Sequence, residues 1–192
     1  MTWVGWTVLA VAAVVAAVAA VVALAWVRAH SRALTLNTEV LRTGAMLDRA
    51  LRSRALAALE LAHSVHVDPA TSLILTDIAG RCLEAVGVEL AGVDAPSSSE
   101  VMRGRALAES ELSRGLRVIV PQLRDTADRE TGEKLDQLEE RWRMVATART
   151  LHNSRVAQAI GVRNSPAGRL AGVRTPVPVT FDMDDALPEG HA

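Results

Sequence analysis

Glu60 and His63 stand three positions apart, with His66 and Asp68 close behind. On a helix that spacing puts a carboxylate and an imidazole on one face. These are the donors of a transition-metal site in a bundle core. Di-metal carboxylate bundles use Glu-x-x-His twice and add a Glu from each of two other helices. No second pair built this way joins Glu60 and His63. They therefore read first as the polar end of a helix, with a metal-binding or hydrolytic bundle on Glu60, His63 and His66 as the alternative. His152, Ser154 and Asp48 contain the residue types of a triad, but no elbow motif presents the serine. Asp182, Asp184 and Asp185 lack the glycine and distal Glu of a calcium loop. There is no Gly-rich phosphate loop of either common type. The expectation is a protein with no catalytic residue, no metal and no cofactor.

The more informative polar residues lie among apolar ones. A long helix is predicted from about Glu133 to Val162. Its Leu135, Leu138, Trp142 and Val145 form a coiled-coil-like seam at alternating spacings of three and four. The same seam continues through Arg149, His152 and Val156, so two polar residues interrupt it. An earlier long helix is predicted from Arg28 to about Ser64. Leu36, Val40, Leu47 and Leu51 make one stripe on it, extended by Ala55, Ala58 and Leu59. Asp48 sits beside that stripe. If the two helices pack antiparallel, Asp48 and Arg149 can meet, with Asn37 and Asn153 nearby. Such a buried pair sets register more than it adds stability. The competing reading has both side chains snorkelling to solvent.

These helices hang from the apolar run Trp3–Val27, which carries no charge and ends at Arg28. A bilayer core of ~30 Å needs roughly 20 apolar residues at ~1.5 Å rise each. The run meets that length with some to spare for tilt. Trp3 and Trp6 at one end and Trp26 at the other match an aromatic belt at both interfaces. A cleaved signal peptide is the rival, with Ala23-Leu24-Ala25 as its cleavage site and a secreted helical protein as its product. Against it, Met1 and Thr2 bring no side-chain charge, and the run exceeds a typical h-region of ~7–15 residues. Arg28 and Arg32 follow the span at once, with Arg42, Arg49, Arg52 and Arg54 beyond. The positive-inside rule then puts the N-terminus outside and the rest of the chain in the cytoplasm. The same arginines could touch anionic lipid. Cys82 is the single cysteine, so no intramolecular disulfide framework exists, and it is expected as a small buried residue on a helix.

Beyond the anchor roughly 165 residues remain, enough for one domain with its own core. The net charge of -1 provides no basic face for nucleic acid. Trp142 and Phe181 are the only aromatics past the anchor, which excludes a base-stacking platform. Lys134 is the lone lysine. Together with the Ala and Val excess, this reads as genome composition bias. Ala, Leu, Arg and Glu dominate the remainder and are good helix formers.

Between the long helices two more are expected. Asp68 and Pro69 are in the order of N-cap and N1, opening a helix through Leu73, Leu75, Ile78, Leu83 and Val86. Gly87 to Ser99 reads as a loop. Ser97-x-x-Glu100 matches a capping box for a helix with Val101, Leu107, Leu112, Leu116 and Ile119. Pro121 should kink or stop it, and Arg124 to Gly132 reads as loop or frayed helix. Pro166 ends the last helix. Pro176, Pro178 and Pro188, with Gly168, Gly172 and Gly190, make the tail irregular. Phe181 is expected to dock, and the last residues to be disordered.

The organisation expected is all-α: an N-terminal transmembrane anchor (1–28), an elongated antiparallel bundle of about four helices (29–165), and an irregular Pro/Gly-rich tail (166–192). Leu36-Asn37, Val40 and Leu47-Asp48-Arg49-Ala50-Leu51-Arg52-Ser53-Arg54 resemble the LemA family. Its first long helix carries Tyr-Asn and then Ile-Asp-x-x-Leu-x-x-Arg. Ala148-Arg149-Thr150-Leu151-His152-Asn153-Ser154-Arg155-Val156 is similar to its Ala-Arg-x-x-Tyr-Asn-x-x-Val motif. Pro166, Leu170 and Phe181 are similar to its Pro-containing tail. Leu36 and His152 replace the family's tyrosines, and the region between the motifs matches poorly. The resemblance implies a single-span bacterial membrane protein with a helical bundle and no settled activity. The function expected is a non-enzymatic scaffold or adaptor whose partners are membrane lipid and protein, or itself, and not nucleic acid.

Overall fold

The structure, a computed structural model, describes residues 2–65, 67–86, 95–170 and 178–187. α1 is one unbroken helix, Thr2–Ala62, of 61 residues. At ~1.5 Å per residue it is about 90 Å long. Anchor and first bundle helix are therefore a single rod. α2 is Pro69–Val86, α3 is Ala95–Thr126, α4 is Arg129–Asn164, and a short α5 is Pro166–Leu170. The fold is an all-α bundle.

The two halves of α1 differ in what surrounds them. Up to Val27 its apolar side chains are exposed. An 18-residue window there has a mean hydropathy of 3.0 and none of it is buried. The helix is long and apolar enough to cross a membrane. From Ala29 onward a buried stripe begins: Ala29, Ala33, Leu36, Val40, Thr43, Leu47 and Leu51. The spacing of four and three is that of a coiled-coil seam. α4 lies along it, antiparallel. Thr43 meets His152, Ser53 meets Arg141, and Ser64 meets Lys134.

Asp68 caps α2 with its Oδ1, which accepts from Ala70 N at 3.0 Å and Thr71 N at 3.1 Å. A hydrogen bond with the Thr71 side chain, then these N–H bonds, lower its pKa. α2 turns back along α1, and α3 turns back along α2, where Gly115 lets Ile78 in: a Cβ would meet Ile78 Cδ1 at 2.6 Å. α3 starts at Ala95, so Ser97 lies inside the helix instead of capping it. Residues 87–94 of the expected loop lie outside the described residues. Pro121 does not stop α3, which runs on to Thr126. Buried Ile119, Val120 and Leu123 flank the proline, and their packing offsets the lost hydrogen bond. The expected loop from Arg124 to Gly132 shrinks to two residues. Asp128 caps α4 by accepting from Thr131 N at 2.9 Å.

The core falls into two clusters. Ala58, Leu61, Leu75, Ala79, Cys82, Leu112, Leu116, Leu135, Leu138 and Trp142 are fully buried in its larger part. A second cluster joins Leu47, Leu51, Ala106 and Val145 to Phe181 and Met183. The expected irregular tail is corrected in one place. Pro166–Leu170 is helical, with Gly168 so close to α4 that a Cβ would meet Val162 O at 2.1 Å. Residues 178–187 carry no regular secondary structure, as expected of the tail, and Phe181 docks there as expected, with Met183 beside it in the core. Residues 188–192, expected to be disordered, lie outside the described residues.

Candidate functional site

Two groups of charged residues inside this bundle are joined by one tryptophan. The first is sealed. Arg54 and Glu109 are both 0% exposed, and Arg54 Nη2 donates to Glu109 Oε2 at 2.7 Å. Arg54 also donates to Ser113 Oγ at 2.9 Å and to the Glu109 carbonyl at 3.1 Å. Its guanidinium carbon lies 5.5 Å from the Trp142 ring centroid, a cation–π contact. Arg54 Nε and Glu109 Oε1 are buried with no hydrogen-bond partner among the described residues. Cys82 lies beside this pair and donates to the Ala108 carbonyl at 3.3 Å. Burial, then the Glu109 charge, pushes its thiol up to about 12, while Arg54 works the other way. The thiol stays protonated and inert, a small core residue as expected.

The second group holds the tail. Arg149 clamps the Asp185 carboxylate with Nε at 2.8 Å and Nη2 at 2.9 Å. Asn153 binds the Phe181 backbone twice: its Nδ2 donates to the carbonyl at 2.9 Å, and its Oδ1 accepts from the N–H at 2.8 Å. Trp142 Nε1 donates to the Asp185 carbonyl at 3.1 Å. From α3, Ser110 Oγ accepts from Asp184 N at 3.0 Å, and Arg117 Nη1 donates to Asp184 Oδ1 at 2.8 Å. That guanidinium brings the Asp184 carboxyl down to about 2. His152 is buried against Thr43, whose hydroxyl lies 3.3 Å from Nδ1, and against Gly44, from which a Cβ would be 3.6 Å away. Burial lowers the His152 pKa, and a bond with the Val179 backbone opposes this.

The expected Asp48–Arg149 pair does not form. Both residues sit at the same level of the antiparallel α1–α4 pair but on different faces. Asp48 is one residue off the seam position Leu47, a rotation of about 100° on a helix. That turns it to α3, where Arg105 Nη2 donates to Oδ1 at 2.7 Å, and Arg52 lies 3.5 Å away. Arg149 faces the tail. Asn153 joins Arg149 there, whereas Asn37 is half-buried on α1, about 16 Å from Asp48 along the helix axis. The single expected cluster is therefore two, Asp48–Arg105 and Arg149–Asp185–Asn153.

No family model matches the chain, and neither a curated protein nor a solved structure matches it. The LemA resemblance accordingly rests on residues alone. Several of those residues are the ones doing the joining: Asp48, Leu51 and Arg54 on α1, and Arg149, Asn153 and Val156 on α4.

The other candidates stay apart. Glu60 and His63 are exposed. His63 Nδ1 lies 2.7 Å from the Leu59 carbonyl, and Lys134 lines the same shallow depression. His66 lies outside the described residues. Among the described residues no cluster of three or more His, Cys, Asp or Glu could hold a metal. Ser154 is exposed and pairs with Gln158 at 3.4 Å, away from His152. Trp3 and Trp6 stand at one end of the apolar rod and Trp26 at the other, about 35 Å apart along the helix. Trp26 stacks on His30 at 5.4 Å, and Arg28 and Arg32 are exposed beside them.

The Arg54–Glu109 pair was not anticipated, although a signal existed. Arg54 is three residues from Leu51 and seven from Leu47, on the apolar stripe itself. Arg105 and Glu109 likewise continue the Leu112, Leu116, Ile119 and Leu123 stripe of α3. A charge at a stripe position on each of two helices is a pattern for a buried ion pair.

Proposed function

We propose that this chain is a membrane-anchored helical-bundle protein of LemA type, acting as a non-enzymatic scaffold or adaptor at the bacterial membrane. The observation that carries the reading is α1. One helix is bare and apolar for its first half and packed in a bundle for its second. A lipid environment covers the first half without requiring any further protein. Arg28 and Arg32 at the boundary favour a cytoplasmic bundle with the N-terminus outside. An unbroken helix between the two halves would hold the bundle at a set distance from the bilayer.

A structural role is supported by where the charges go. Arg54, Glu109, Asp48, Arg105 and Arg149 bind one another or the tail. A group working on substrate would instead face a cleft. The LemA resemblance supports the same reading, since its motif positions coincide with the joints between elements.

Protease accessibility of a C-terminal tag in intact cells, with membrane fractionation, tests this. The expected result is a protected tag on a protein that pellets with membranes. A tag cleaved from outside on a pelleting protein would overturn the orientation. A soluble protein lacking its first residues would overturn the anchor in favour of secretion.

A further inference from the structure

Residues 178–187 lie against the bundle as a bound peptide would. The segment has no helical or strand hydrogen bonding of its own, and its side chains alternate: Phe181 and Met183 are 2% and 6% exposed, while Asp182 between them is 99% exposed. Period-two alternation is the pattern of a strand laid on a surface. Beneath Phe181 and Met183 lie Leu47, Leu51, Ala106 and Val145, from three helices. α3 and α4 meet directly near Arg124, which pairs with Asp136 and Glu139, and Phe181 and Met183 pack between Ala106 of α3 and Val145 of α4.

The grip on this segment is mostly on its main chain. Asn153 takes both polar groups of Phe181. Ser110 takes the Asp184 N–H. Trp142, Arg149 and Arg117 donate to the carbonyls of Asp185, Met183 and Ala186. Such bonds hold any extended chain, and the two inward side chains and the charges then select which. Arg149 and Arg117 supply a positive groove, and the segment places Asp184 and Asp185 in it. The two arginines remain 24% and 26% exposed. These pairs lie at the rim of the bundle, where water can rehydrate either partner once the segment leaves.

We infer that the groove between α3 and α4 is a peptide-recognition site, occupied here by the chain's own tail, that accepts an acidic segment of a partner protein in its place. The partner segment is extended, carries an aromatic residue, a Met or aliphatic residue two positions later, and then two acids. This rests on the scaffold reading and supplies the chemistry of its partner. The chain's tail then acts as a competitor that keeps the groove covered until a better or more concentrated segment arrives.

The test uses the full chain in detergent micelles with a protease site introduced between residues 171 and 177, cut after folding. The probe is a fluorescent peptide with the sequence of residues 178–187, followed by anisotropy. The cut protein should bind the probe, the uncut protein should bind it at least about tenfold more weakly, and Asn replacing both Asp184 and Asp185 in the probe should weaken binding by about tenfold. In the uncut chain, Phe181→Ser should raise probe binding with the helical signal unchanged. Two outcomes would overturn the inference. In one, the cut protein keeps its tail and takes no probe. In the other, it loses its helical signal as the tail leaves, making the segment a permanent part of the core. If tagged and untagged full chains copurify and Phe181→Ser separates them, the occupant is a second copy and the partner assignment fails. A failed exchange on a protein that still pellets with membranes leaves the scaffold reading standing. A soluble chain whose groove exchanges removes that reading alone.

Discussion

Arg54–Glu109 and Arg149–Asp185 are both arginine–carboxylate pairs, both involve a helix of the α1–α4 pair, and both touch Trp142. The ring face of that tryptophan lies under Arg54, and its Nε1 bonds the Asp185 carbonyl. They differ in burial and in what they join. Arg54 and Glu109 have no exposed surface and tie α1 to α3 inside the core. Arg149 and Asp185 are 24% and 16% exposed and tie a helix to the tail. A charge with no water to fall back on is costly to orphan, whereas one at the rim can be rehydrated. The first pair therefore specifies how the helices assemble, and the second holds a segment that can leave.

The comparison predicts a graded series. Arg54→Met or Glu109→Leu alone should cost about 3–5 kcal/mol in urea denaturation of the full chain in micelles, because each strands a buried charge. The double variant should recover most of that loss, since two apolar side chains can fill the same space. A double variant no better than either single would mean that shape, and not orphaned charge, is responsible. Arg149→Ala should cost about 2 kcal/mol, from the loss of charge-assisted bonds at a half-buried site. It should also make residues 178–187 accessible to limited proteolysis while the helices persist. Equal losses at Arg54 and Arg149 would erase the distinction between core and strap.

Smaller effects come from titration. The unfolded chain protonates His152 near its ordinary pKa of 6.5, whereas burial, opposed by a bond with the Val179 backbone, lowers the folded value. Folded protein then binds fewer protons, so stability is full above that pH and falls as pH drops below it. His152→Gln should flatten the dependence between pH 7.5 and 5.5, read by thermal melts. Asp184 acts lower down. Its folded value of about 2 lies below the ordinary 3.8, so its contribution is present above 3.8 and lost as pH falls toward 2. Because Asp184 is 41% exposed, Asp184→Asn should change stability at neutral pH by no more than about 0.5 kcal/mol.

Periodicity exposed most of the elements. The α4 seam through Leu135, Leu138, Trp142, Val145, His152 and Val156 is buried as its spacing requires. Asp68 and Pro69 open α2 as their chemistry requires. Failures came where a local rule met packing. Pro121 reads as a stop, yet buried neighbours carry α3 through it. Proline and glycine in residues 166–192 read as irregular, yet Pro166–Leu170 is helical, while Phe181 docks in the core as expected.

By itself the sequence determined the apolar rod, the all-α character and the faces that become buried, because these follow from side-chain period and transfer free energy along a single helix. Which charge meets which was decided only in three dimensions. Asp48 and Arg149 share a level in the bundle, but a one-residue offset turns Asp48 to Arg105, and a segment 36 residues downstream in the chain brings Asp185 to Arg149. Pairing depends on helix rotation and on where the tail is laid, and neither is encoded in the spacing of one element.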